Sequence, residues 1–320
     1  MLYSFGLFGT WIPVIGSLVA FFATTGLMKA LADKLPHDQG RAFAVEGALS
    51  KGKVRGAGIV FVLVYVATSV IFDRISVEKI IYLAVIVATM FTGYFDDASE
   101  KPWSEYVKGA FDLGLAAVVA VTYLYCHGNS FMIIPLAGAS ITVPYFLAGL
   151  LIVILVWASI NVTNCTDGVD GLSATLTIIT LGSFWLMMRD VVPAEEEDFI
   201  IYFIIVLVAY LWYNANPSSM LMGDAGSRAM GMMIAIVALW SGYPLLYIPF
   251  ALVMILDGGL GLLKVALLRF LKIKILVNTR CPLHDQARKV NEWSNTQVVF
   301  RFAIIQLMIS IPFLMLFRQG

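Results

Sequence analysis

Apolar residues fill long, nearly uninterrupted stretches of this chain, and polar residues collect in the short segments between them. A helix needs about 20 mostly apolar residues to cross the hydrocarbon of a bilayer, within a range of roughly 17–25. By that measure ten spans are predicted, over 11–32, 56–72, 80–95, 106–126, 144–160, 172–188, 199–215, 229–243, 245–268 and 298–317. Little chain remains for a separate soluble domain. Residues 1–320 therefore read as one all-α, polytopic integral membrane domain. An even number of spans puts both termini on one side. The first stretch lacks a basic leader and reads as a retained span rather than a cleaved signal. Segment 127–143, with Pro135, Gly138 and the alternating Ile141 and Val143, predicts a small hairpin. No repeat of 20–50 residues stands out.

Composition agrees with this pattern. The chain is 60% hydrophobic and 13% charged, with a mean hydropathy of +0.87. Soluble domains run at about 45–50% apolar and about 25% charged, so a soluble enzyme is excluded. Lys+Arg and Asp+Glu both number 21, and that balance argues against a nucleic-acid partner. Cys126, Cys165 and Cys281 have neither disulfide-framework nor zinc spacing and read as small buried or interfacial residues.

The distribution of charge says more than its sum. Loops 33–55, 96–105, 161–171, 216–228 and 269–297 share one face. With Lys108 at the entry of its span they hold fourteen basic residues, among them Lys34, Arg41, Lys51, Lys53, Arg55, Lys101 and Arg228. The other face has four: Arg74, Lys79, Arg189 and Arg318. The positive-inside rule makes the first face cytoplasmic and both termini external. The run Glu195–Asp198 then reads as a solvated acidic turn outside.

Four cytoplasmic segments carry candidate chemistry. Asp96 and Asp97 end the third span, and adjacent carboxylates stay ionised together only when a cation or water neutralises them. Such oxygen ligands suit Mg²⁺, which is often held by one or two carboxylates plus substrate phosphates. Segment 161–171 offers Asn161, Asn164, Asp167 and Asp170 with two glycines and no basic residue. There Asp170 or Thr166 is placed to cap the next helix. In 214–228, Asn214 precedes Gly223-Asp224-Ala225-Gly226-Ser227, a pattern that presents a carboxylate and backbone N–H groups to a phosphate or metal at a helix start. Loop 269–297 holds Arg280, His284, Asp285, Arg288 and Lys289, suited to lipid headgroups or a polyanionic substrate. All four lie on the face defined by Lys and Arg alone, which suits a Mg²⁺-dependent reaction on a phosphorylated substrate. Within the spans, Asp112, Asp257, Lys264 and Arg301 are costly enough to be functional hints. Asp257, followed by Gly258, Gly259 and Gly261, predicts a bend in the ninth span.

The blocks FDD at 95–97, NVTNCTDGVDGLSA at 161–174, MGDAGS at 222–227 and PLHDQARKVNEWSNTQVVFRFAII at 282–305 resemble, in this order, the polyprenyl-phosphate N-acetylhexosamine-1-phosphate transferases. Trp293-Ser294, Gln297-Val298-Val299 and Arg301-Phe302 resemble the branch that takes a UDP-N-acetylmuramoyl-pentapeptide donor, as does the first loop, GRAFAVEGALSKGKVRGAGI. The resemblance implies ten helices with external termini, in a bacterial plasma membrane. It implies transfer of phospho-N-acetylmuramoyl-pentapeptide from UDP-MurNAc-pentapeptide to undecaprenyl phosphate, giving lipid I and UMP in peptidoglycan synthesis. Mg²⁺ as cofactor, surrounding membrane lipids and a homodimer follow in the same way.

Carried over by position, the resemblance makes Asp224 the metal ligand and Asp96 and Asp97 the paired acids, with Asp96 the base or orienter of the lipid phosphate. Asn164 and Asp167 match polar active-site positions, and Asp170 and Asn214 match nucleoside-side positions. His284 matches a histidine motif near the pyrophosphate. Lys51 or Lys53 is the substrate-contacting lysine of the first loop, and Lys101 and Lys108 follow the acid pair. Two departures stand out: Asp285 and Gln286 occupy places where further histidines are usual, and Leu221 stands where an aromatic is expected. Two other readings compete. One is a sister transferase using UDP-N-acetylglucosamine. The other is a cation-coupled secondary transporter, which predicts mid-depth charges and a repeated helix pattern.

Overall fold

A computed structural model describes residues 11–38, 40, 50–99, 103–134, 139–189 and 198–317. The chain forms a helical bundle, and every predicted span falls on helix. In order these are α1 (Ile12–Leu31), α2 (Ala57–Phe72), α3 (Val77–Ala98), α4 (Glu105–His127), α5 (Tyr145–Thr166), α6 (Leu172–Met188), α7 (Asp198–Asn214) and α8 (Gly223–Trp240). The bent pair α9 (Pro244–Phe250) and α10 (Leu252–Leu271) follows. The short α11 (Leu283–Lys289) and the long α12 (Asn295–Phe317) complete the chain. Among the described residues five helices, α1, α3, α4, α5 and α12, are long and apolar enough to cross a membrane, or six if the bent pair is one span. Helices α2, α6 and α7 are shorter apolar helices.

Local signals set several boundaries. Ser76 caps α3 by accepting from Lys79 N–H, and Ser104 caps α4 by accepting from Val107 N–H. Two helices extend beyond the predicted spans into segments read as loops. Helix α5 continues through Asn161 and Asn164 to Thr166, and α8 starts at Gly223 rather than near 229. The ninth span bends by 72° at Ala251, N-terminal to the predicted site. Around Asp257 the helix instead widens into a π-turn over Ile255–Gly259, a feature common at functional sites.

Helix α8 is the axis of the fold. Every residue from Ala225 to Leu239 is buried, as expected of a helix that is apolar all round and enclosed by others. Helices α2, α3, α5 and α6 pack around it. The α3 contact is close because Gly93 lies against the backbone of Asp224 and Ala225, where a Cβ has no room. Small residues permit such backbone approach in membranes. The outward faces expose large apolar side chains such as Phe22, Phe146, Val121 and Phe300. Apolar exposure on that scale marks a lipid-facing surface; this is an integral membrane protein.

Two small strand pairs decorate opposite ends. β1 (Val54–Arg55) runs parallel to β4 (Met220–Leu221), pairing Arg55 with Leu221 at the start of α8. The predicted hairpin forms from β2 (Ser130–Ile134) and β3 (Ala139–Thr142) between α4 and α5. Of the acidic run, residues 195–197 lie outside the described residues. Asp198 opens α7 and is buried at 8% exposure rather than solvated.

Candidate active site

The last turn of α3 carries Asp96 and Asp97, where the helix dipole disfavours anions. Cations from two other elements compensate. Lys108, in the first turn of α4, pairs with Asp96, whose Oδ1 also accepts the Trp103 backbone N–H at 2.8 Å. Arg55, on β1, donates to Asp97 Oδ1 at 2.6 Å and lies 3.9 Å from Asp224 Oδ1. The other oxygen of Asp97 accepts the Asp224 backbone N–H at 2.7 Å. Gly223 makes this approach possible: its φ of +68° favours glycine, and a Cβ there would sit 2.5 Å from Asp97 Oδ2.

The result is a cluster in which one oxygen each from Asp96, Asp97 and Asp224 lies within 4.8 Å of the others. Among the described residues these three carboxylates meet Arg55 and Lys108, and the cluster offers a cation only oxygen ligands. That donor set fits a hard divalent cation such as Mg²⁺.

Polar residues from α5 onward extend the site. Asn164 Nδ2 donates to Ser227 Oγ at 2.9 Å, joining the end of α5 to the first turn of α8. Asp167 follows in the turn, its N–H donating to Asn164 O at 3.2 Å. The His284 ring abuts Gly168, leaving no room for a Cβ there. Its orientation is set from behind: Asp257 accepts the His284 backbone N–H at 2.7 Å and contacts Nδ1 at 2.9 Å. Nε2 therefore faces the 167–168 turn. Arg288 Nη1 donates to Gly168 O at 3.4 Å.

A neighbouring group gathers around Asp170. Its Oδ2 accepts Ser218 N–H at 3.0 Å and faces Lys53 Nζ at 3.5 Å, while Lys53 donates to Ser218 Oγ at 2.9 Å. Of the two first-loop lysines, Lys53 is thus drawn in, whereas Lys51 is exposed. Neither Asp170 nor Thr166 caps α6. The N-cap is Gly171, in the left-handed region, with no side-chain cap bond. Gly171 N–H is taken instead by Asn214 Oδ1 at 2.8 Å, while Asn214 Nδ2 donates to Met220 O at 2.8 Å. Both ends of that amide serve the backbone, so Asn214 shapes the turn and β4. Lys101 lies outside the described residues.

The sequence reading missed Arg55, counted there only toward topology, and Ser227 and Asp257 as supports. Arg55 stands two residues after Lys53 and just before Gly56-Ala57-Gly58. A cation beside a glycine-rich helix entry was the available signal. The charges inside the spans are each satisfied: Asp112 pairs with Arg228, and Asp257 holds His284. Lys264 donates to the Leu276 and Thr279 carbonyls at 2.9 and 2.8 Å. Arg301 stacks over Trp293 at 4.2 Å.

A membrane-embedded helical bundle with a carboxylate cluster and flanking cations at one end defines a class that comparison with known proteins makes specific. The model of the family "Glycosyl transferase family 4" matches residues 79–242, a stretch that contains the three acids. The phospho-N-acetylmuramoyl-pentapeptide-transferase of Treponema pallidum (strain Nichols) is 38% identical over 94% of this chain and 88% of its own length. That of Helicobacter pylori (strain ATCC 700392 / 26695) is 26% identical over 92% and 90%. That of Kosmotoga olearia is 25% identical over 81% and 82%. The chain belongs to glycosyl transferase family 4 and, within it, to the phospho-N-acetylmuramoyl-pentapeptide-transferases.

Proposed function

We propose that this protein transfers phospho-N-acetylmuramoyl-pentapeptide from UDP-MurNAc-pentapeptide to undecaprenyl phosphate, forming lipid I and releasing UMP. The protein crosses a bacterial plasma membrane ten times, with its site on the cytoplasmic face. The charge partition between loops supports that orientation. The observation that carries the chemistry is the meeting of Asp96, Asp97 and Asp224 with Arg55 and Lys108 at one end of the apolar bundle.

An oxygen of the lipid phosphate attacks the sugar-bound phosphorus, and the bond from that phosphorus to UMP breaks. Phosphoryl transfer depends mainly on positioning and charge stabilisation. A phosphate monoester has a second pKa near 6 and is largely dianionic at neutral pH, so Asp96 serves more to orient the nucleophile than to deprotonate it. Asp224, with Asp97 beside it, is placed to hold Mg²⁺, whose chemistry is to neutralise charge on the pyrophosphate and departing UMP. Arg55 and Lys108 pair with the acids and supply positive charge to the phosphates. His284 turns Nε2 toward the 167–168 turn, at the edge of the site.

The test is UMP release by purified protein supplied with Mg²⁺, UDP-MurNAc-pentapeptide and undecaprenyl phosphate. Release with this donor, and none with UDP-N-acetylglucosamine, is expected. Absence of UMP under conditions in which the Treponema pallidum relative turns over would overturn the reading. Chelation of Mg²⁺ is expected to abolish release, and readdition to restore it.

A further inference from the structure

One helical turn inside the site, the same four helices carry a second polar layer. Thr92 precedes Asp96 by four residues on α3, and Asp112 follows Lys108 by four on α4. Arg228 follows Asp224 by four on α8, and Asn161 precedes Asn164 by three on α5. Spacings of three and four stack side chains on one helix face. Each helix thus offers one group to the site and another beneath it.

The deeper groups meet one another. Arg228 pairs with Asp112 and contacts Thr92 Oγ1 at 3.5 Å, while Asn161 Nδ2 donates to Asp112 Oδ2 at 3.3 Å. Asp112 and Arg228 are only 1% and 4% exposed, within a bundle whose core is mainly apolar. Replacing a buried ion pair by apolar residues is often neutral or stabilising, so stability alone is a weak reason for this one. Apolar helix faces pack in many near-equivalent rotations. A desolvated ion pair with two further hydrogen-bond partners admits few.

We propose that Asp112 and Arg228, supported by Asn161 and Thr92, are positioning residues. They set the rotation and depth of α3, α4, α5 and α8 and thereby hold Lys108 against Asp96 and Asp224 against Asp97. The kinetic consequence rests on the transferase function proposed above; the geometric one does not.

The test compares full-length parent protein with the double variant Asp112→Leu/Arg228→Met, using two readouts. A water-soluble carbodiimide joins Lys108 Nζ to the Asp96 carboxyl as an amide, the carbodiimide taking up the elements of water as its urea. Mass spectrometry of the peptides measures the yield. In the folded double variant the yield is expected to fall severalfold. The kcat for UMP release should fall about 10²-fold, the effect of a misplacement near 1 Å, with KM for both substrates unchanged. Parent-level cross-linking in the folded double variant overturns the proposal, whatever the rate does. If the parent itself releases no UMP, the functional reading fails while the cross-link still decides this one. Should the double variant not fold, Asn161→Ala and Thr92→Val each remove one support. Reduced cross-linking in either sustains the proposal, and parent-level yield in both overturns it.

Discussion

Helix α3 has a buried carboxylate–cation arrangement near each end, and the two differ in one respect. Near its start, Lys79 donates to both oxygens of Asp73, at 3.1 and 3.0 Å, and sits 5.5 Å from the Phe199 ring and 5.1 Å from the Trp240 ring. Seventeen residues later, about 26 Å along the axis, Asp96 and Asp97 share Lys108, Arg55 and backbone donors with Asp224. At the first end one cation grips both oxygens of Asp73 beside the Phe199 and Trp240 rings, and no cluster of three acids forms there among the described residues. At the second, the oxygens of three acids converge within 4.8 Å of one another beside Arg55 and Lys108. The same residue types therefore fasten the fold at one end and form a receptive surface for a cation and phosphates at the other.

Breaking each end should separate stability from activity. Lys79→Met removes the cation that grips both oxygens of Asp73, and removing one partner of a buried pair costs about 3–5 kcal/mol. Denaturant or thermal unfolding in detergent should show that loss, while UMP release per folded molecule stays within about twofold, since the site lies far from the change. Asp224→Asn should do the reverse. Loss of a charge-stabilising group is expected to lower kcat on the order of 10²–10³-fold, with little change in unfolding midpoint. If both variants lost stability and activity equally, the contrast between the two ends would collapse.

Two smaller changes sharpen the comparison. Gly93→Ala forces a methyl against the Asp224 backbone and, as an overpacked contact, should cost about 1–3 kcal/mol, read by thermal unfolding. Because it parts α3 from α8, it should also lower UMP release, unlike Lys79→Met. Lys53→Ala removes a charged hydrogen bond of the Asp170 group, a loss of about 1.5–3 kcal/mol where it is fully felt, and should raise KM for the UDP donor. Lys51→Ala should leave that KM unchanged. Equal effects of the two lysines would show that the Lys53–Asp170–Ser218 contacts do not bear on donor binding.

Much of the architecture was legible because bilayer crossing and helix formation depend on local runs of residues. Each predicted span lies largely on helix, and a strand pair forms between α4 and α5 within the segment predicted as a hairpin. Errors gathered at the polar ends. Asn161 and Asn164 were read as loop because polar side chains ended the apolar run, yet their backbone remains helical to Thr166. Sequence neighbours make Asp170 or Thr166 the cap of α6, but Asp170 instead meets Ser218, 48 residues away, and Lys53. The bend was assigned to the glycines after Asp257, whereas the helix turns at Ala251 and the glycines lie in and beside a π-turn that supports His284.

Sequence alone determined that this is a membrane-embedded helical bundle, and it picked out Asp96, Asp97 and Asp224, which the fold brings together. Hydrophobic length and charge asymmetry carry that information residue by residue. Only the tertiary structure decided that Arg55 serves Asp97 and Asp224, that Lys53 rather than Lys51 meets Asp170, and that Asp112 is matched by Arg228. Those pairings depend on how far each helix is rotated and how deeply it sits. Both are set where α3 and α8, 127 residues apart at the Asp97–Asp224 contact, close on each other over Gly93.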